Sequence, residues 1–132
     1  MSKSEFMDAS ILLRKVLFVG IILVASCKNH KCDSLPEYFS SEEDGLSKIK
    51  STKFKMMDSI DNPSGSWLMA AHYYSCDGKI GYLVYRLKGI SENYNPEVPI
   101  GIWNEFKSSS NKETFYNERI SQKYLRKVQL SR

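Results

Sequence analysis

The sequence predicts a small α+β fold: an antiparallel hairpin with a short third strand, followed by two helices. Two periodicities and one turn predict it. Apolar residues alternate with period two before Gly89 and recur at a spacing near four after Pro99. Between two alternating runs lies Asp77-Gly78, a dipeptide that favours the tight turn of a hairpin. Charged residues make up 26% of the chain and aromatics 12%, a balance that argues against wholesale disorder.

The first segment with a clear signature is Arg14-Lys15 followed by the uncharged run Val16 to Ala25. Ten helical residues rise about 15 Å, half the hydrocarbon thickness of a bilayer. The run is too short to span and matches the apolar core of an export signal. Glu5 and Asp8 precede the basic doublet, and Met7 is an alternative start to Met1.

Val24-Ala25-Ser26-Cys27 then resembles the bacterial lipobox: an aliphatic residue, two small residues and a cysteine. The resemblance implies that residues 1–26 are a lipoprotein signal peptide and that the Cys27 thiol takes the lipid. The acyl chains would anchor the protein to a membrane. Lys28-Asn29-His30-Lys31 carries neither an Asp directly after Cys27 nor an acidic run. The expected location is therefore the periplasmic side of a membrane, with the leaflet open. Cleavage before Cys27 leaves 106 of the 132 residues, enough for one modest core. It removes three of the 19 basic side chains and two of the 15 acidic ones, so the remainder is 16 against 13, a net charge of +3. So mild a charge does not name nucleic acid as a partner.

Residues 27–65 are expected to be a tether and a poorly assigned segment. Pro36 and the polar stretch Ser40 to Gly45 read as tether. From Leu46 to Ile60, Leu46, Ile49 and Phe54 suit a weak helix, whereas Lys48 to Met56 alternates like a strand; both remain open. Asp61 to Gly65 is a loop.

Residues 66–132 form the expected domain. Trp67 to Tyr74 and Ile80 to Leu87 are the hairpin strands, with Leu83, Tyr85 and Leu87 on one face. A short third strand is expected near Ile90 to Tyr94. Val98-Pro99 reads as a helix start, because proline at the first helical position loses no hydrogen bond. The last helix is expected from about Glu113, with Tyr116, Ile120, Tyr124 and Val128 as its stripe. After Glu118 come Arg119, Lys123, Arg126, Lys127 and Arg132 with no acid among them. They read as a solvated helix face, with anionic lipid or an acidic partner as the alternative.

The stretch from Trp67 to Tyr124 resembles the KTSC domain, named for the C-terminus of certain lysyl-tRNA synthetases. The shared elements are Gly89, Tyr94, Val98-Pro99, Trp103, Ser108-Ser109-Ser110 and Phe115-Tyr116-Asn117-Glu118-Arg119-Ile120. The family's paired aromatics are reduced to Tyr94, with Glu92 where the other would fall, and Glu113 stands where the family has glycine. RNA binding has been suggested for the family. The missing aromatic and the export signal argue against nucleic acid here. The aromatics Trp67, Tyr73, Tyr74, Tyr82, Tyr85, Tyr94 and Trp103 read mainly as core, with an exposed binding platform as the alternative; the candidate binding surface is Tyr94, Trp103 and Asn117.

No catalytic site is legible. His30 lies beside Cys32 and Asp33, but on a tether rather than a scaffold that could fix metal distances. His72 reads as an ordinary strand residue. Neither a nucleophile elbow nor a phosphate-binding glycine loop occurs. No cofactor and no metal are expected. The function that follows is a membrane-anchored lipoprotein with a small, non-catalytic binding domain for a protein or another envelope component. The alternative is a small cell-envelope enzyme with an unrecognised site. With lipid on Cys27, the cysteines that remain are Cys32 and Cys76, an even pair in an oxidising compartment and a candidate disulfide.

Overall fold

The computed structural model describes residues 30–89 and 91–129. The expected signal peptide and Cys27 lie outside them. The described chain is α+β. It opens with a two-residue strand β1 (His30–Lys31) and a single 3-10 turn (Cys32–Ser34). Helix α1 (Glu42–Ser51) runs into a second two-residue strand, β2 (Thr52–Lys53), which pairs in parallel with β1. Four strands follow: β3 (Met56–Asp61), β4 (Leu68–Ser75), β5 (Ile80–Leu87) and β6 (Glu92–Pro99). They form one antiparallel sheet in sequence order. Helices α2 (Ile100–Ser108) and α3 (Lys112–Arg119) close the fold.

Segment 30–65, expected as tether and unassigned chain, is thus part of the fold. Helix α1 forms there for local reasons. The Ser41 hydroxyl accepts from the Asp44 amide at 3.1 Å, a helix N-cap. Glu42, Glu43 and Asp44 fill the first turn and Lys48 and Lys50 the last, the order the helix dipole favours. Gly45 is buried in its middle because the Tyr94 ring presses on it; a methyl group there would collide with the Tyr94 hydroxyl.

The sheet has an apolar layer on each face. On one, α2 and α3 cover Leu68, Ala71, Tyr73, Leu83, Tyr85 and Val98 with Trp103, Phe106, Tyr116 and Ile120. On the other, Phe39, Ile49 and Phe54 cover Val84 and Tyr94. Alternation of side chains along each strand sends one set to each layer, so an aromatic-rich domain fills two cores rather than one.

Three boundaries differ from the sequence expectation. The third hairpin-side strand runs to Pro99, well past Tyr94, and a further strand, β3, precedes the hairpin. Pro99 is the last residue before α2 rather than its first, and Ile100 opens the helix with its amide on the Lys79 carbonyl at 2.8 Å. The last helix stops at Arg119. Ile120 leaves helical geometry (φ −121°), and the chain turns and then extends. Competing bonds win here. The Tyr124 carbonyl accepts from Asn95 Nδ2 at 2.8 Å, and Val128 bridges to Phe39. Residues 120–129 therefore close the outer side of β6 and are not a solvated helix face. Two of their cations are engaged, Arg126 with Glu42 (3.1 Å) and Asn93 (2.8 Å) and Lys127 with Glu37 (3.2 Å) and Glu97 (3.3 Å), while Lys123 is exposed.

Candidate functional site

The expected binding surface does not form. Tyr94 and Trp103 are buried, at 1% and 0% exposure, on opposite faces of the sheet, while Asn117 is exposed on α3. Trp103 stacks on Tyr73 with ring centroids 5.3 Å apart and donates from Nε1 to Asp58 Oδ2 at 2.8 Å. Tyr94 meets Phe39 edge-on at 5.9 Å. Burial of a large aromatic side chain outweighs the cost of its one polar atom, so both rings go inside.

The titratable groups that depart most from their ordinary behaviour are held by the chain's own donors. The Ser66 hydroxyl and the Trp67, Leu68 and Ser66 amides pull the Glu113 carboxyl down to about 2. Their distances run from 2.6 to 3.2 Å. This carboxylate, at the start of α3, ties the β3–β4 loop to the helix layer. Lys107, at 2.6 Å, and the Trp103 indole hold Asp58 below the usual carboxylate range. Burial pushes the Tyr73 hydroxyl up to about 12, and it donates to the Val98 carbonyl at 2.7 Å. Burial also raises Tyr116. Its hydroxyl lies 2.8 Å from that of Tyr85 and 2.9 Å from Asn95 Oδ1. Each hydroxyl has one proton, so Tyr85 donates to Tyr116, Tyr116 to Asn95, and Asn95 to the Tyr124 carbonyl.

What remains open lies on the α1 side of the sheet. Helix α1 packs against β6, with Ile49 in the layer over Val84 and Tyr94. Met57, Ser59 and Asp61 on β3, His72 on β4 and Arg86 on β5 share that face and are exposed, Met57 at 66%. The strip runs into a shallow depression of about 490 Å³ bounded by Asp61, Met69, Arg86 and Lys88. Beside it is the free edge of β3. The Asn62 amide donates inward to Met69 at 2.8 Å, so in this register the backbone groups of Met57, Ser59 and Asp61 face outward. Asp58 Oδ1 accepts from the Ser59 amide at 2.9 Å, which blunts the edge against pairing with another strand. The face went unseen in the sequence because Met57 and Ser59 carry no pattern of their own. The register of β3 is what places them.

At the other end of the sheet, Cys32 and Cys76 are joined in a disulfide with Cα atoms 5.7 Å apart, inside the range such a bond requires. Cys76 belongs to the hairpin turn that Asp77 organises. Asp77 Oδ1 accepts from the Ile80 (3.0 Å) and Lys79 (2.8 Å) amides, and these bonds hold its carboxyl low. Gly78 takes the positive φ of 75° that the turn needs. With its sulfur in the disulfide, Cys32 is not a thiolate ligand for a metal beside His30. Among the described residues no three His, Cys, Asp or Glu side chains gather as a metal site, and no helix is long and apolar enough to cross a membrane. No protein-family model matches this chain, and neither a curated protein nor a solved structure matches it.

Proposed function

We propose that the chain is a membrane-anchored lipoprotein, held by lipid on Cys27 and facing the periplasm, whose folded part is a small, non-catalytic binding domain. The observation that carries the proposal is the Cys32–Cys76 disulfide. Disulfides persist in oxidising compartments outside the cytosol, which agrees with the export signal and the lipobox-like Val24-Ala25-Ser26-Cys27. The bond also ends any free tether five residues after Cys27, so lipid and domain are closely coupled. The partner surface in this proposal is the uncovered strip of Met57, Ser59, His72 and Arg86, which starts at Met57 near the disulfide end and runs to the depression at the opposite end of the sheet. It takes the place of the Tyr94–Trp103–Asn117 surface. The order strand, turn, strand, strand, helix, helix over Trp67–Tyr124 supports a KTSC-like domain as part of the same proposal.

Protein isolated from its native host tests this. The expected mature N-terminus is an acylated Cys27, read by mass spectrometry. A mature pool that retains Met1 or Met7 as its terminus overturns the proposal.

A further inference from the structure

We propose that the hairpin end of the sheet is the face turned to the bilayer, where four lysines lie against anionic phospholipid headgroups; this rests on the lipidation of Cys27 proposed above. Lys31 sits beside Lys53 in the β1–β2 ladder. Lys55 immediately precedes Met56, the β3 residue opposite Ser75, and Lys79 lies in the turn that follows Cys76. The disulfide joins these pieces, since Cys32 follows Lys31 and Cys76 precedes Asp77. All four lysines therefore surround one end of the sheet.

Their charges are not answered within the fold. Lys48, Lys50, Lys107, Arg119, Arg126 and Lys127 each pair with a carboxylate. Among the described residues Lys31, Lys53, Lys55 and Lys79 are exposed and form no ion pair; the same holds for Arg86, Lys88 and Lys123 elsewhere, but only these four lysines cluster at one end of the sheet. Like charges directly opposite in a ladder repel, which a surface of the other sign would relieve. The acids at this end include Asp33, Asp77 and Glu97; the turn amides engage Asp77, and Glu97 pairs with Lys127. Ile80, 51% exposed next to Lys79, adds an apolar side chain at the same place.

Geometry gives the direction. Five residues from Cys27 to Cys32 span at most about 18 Å when fully extended. An eight-residue strand such as β4 is about 27 Å long. A lipid on so short a leash cannot let the far end of the sheet, with Asp61, Arg86 and Lys88, turn down onto the membrane. It lets the lysine end come within a Debye length, about 8 Å, of the headgroups, where the charge attraction acts. The depression at the far end of the strip then opens away from the bilayer.

The test uses full-length protein from its native host, reconstituted into vesicles of phosphatidylglycerol or of phosphatidylcholine. Exposed amines are labelled with a water-soluble reagent and quantified by mass spectrometry. On phosphatidylglycerol, Lys31, Lys53, Lys55 and Lys79 label several-fold more slowly than on phosphatidylcholine, while Lys88 and Lys123 label alike on both. High salt removes the protection. Equal labelling of the two groups on phosphatidylglycerol, with Cys27 acylated in the intact mass of the same sample, overturns the orientation alone. An unmodified Cys27 in that mass overturns the orientation together with the lipoprotein reading.

Discussion

Two layers cover the same sheet by different means. The helix layer comes from one continuous stretch, α2 and α3, directly after β6. It buries Trp103, Phe106, Tyr116 and Ile120, and its polar atoms have partners within it. The opposite layer comes from a stretch before the sheet, Phe39, α1 and Phe54, tied through Val128 to the distant C-terminal segment. Ion pairs such as Arg126–Glu42 and Lys127–Glu37 join these pieces, but they are largely exposed, and exposed pairs contribute little. The covalent link between Cys32 and Cys76 is the strong one. One layer is therefore self-sufficient and the other depends on closure of the chain.

Removing that closure is the largest way to break the comparison. The two cysteines are 44 residues apart, and the loop-entropy relation values such a link at about 4 kcal/mol. Replacing both, Cys32→Ser with Cys76→Ser, is expected to lower the urea-unfolding free energy by about that amount. Hydrogen exchange should quicken first at Ile49 and Phe54, while Trp103 and Phe106 keep their protection until global unfolding. Equal loss of protection in both layers would refute the asymmetry.

The two layers also hold a matched pair of tyrosines. Tyr116 has two hydroxyl partners; Tyr94, on the other face, has none among the described residues. Deleting the hydroxyl should act with opposite sign. Tyr116→Phe breaks the line from Tyr85 to Asn95 and is expected to cost about 1–3 kcal/mol. Tyr94→Phe removes an unpaired polar atom pressed on Gly45 and is expected to be neutral or to stabilise by up to about 1 kcal/mol. Denaturation curves of the two variants settle it, and a shared sign would show that the hydroxyls do not distinguish the layers.

The last effect is read against pH and sharpens the helix layer alone. The Glu113 carboxyl is depressed from its ordinary 4.5 to about 2 in the folded chain. A group lowered on folding stabilises above its unfolded pKa and loses that contribution as pH falls through the folded value. The stabilisation from Glu113 is thus complete above about pH 4.5 and fades towards pH 2. Glu113→Gln should flatten this part of the acid limb in a stability-against-pH titration. An unchanged limb would mean that the Ser66–Leu68 donors do not depend on its charge.

Legibility in the sequence follows the same division. The hairpin announced itself through Asp77-Gly78 and the alternation around it, and α2 through Pro99, because these signals are local. The α1 layer did not. Helix α1 hides behind an acidic first turn and Gly45, whose fitness depends on Tyr94, 49 residues away. Strand β3 carries Asp58 on its inward face, where a pattern reader expects an apolar residue, because Lys107 and Trp103 receive it there. Tyr124 and Val128 kept a four-residue spacing after the chain had left the helix, since Asn95 and Phe39 take up the backbone instead. An even cysteine pair is visible and the aromatics read mainly as core, but counting them does not reveal that they fill layers on both faces of the sheet.

One measurement bears on the central claim most directly: the intact mass of protein from its native membrane, alkylated with and without prior reduction. A chain beginning at an acylated Cys27, with no alkyl groups before reduction and two afterwards, on Cys32 and Cys76, is the predicted result. A chain that still begins at Met1 or Met7, or that takes two alkyl groups without reductant, would contradict it.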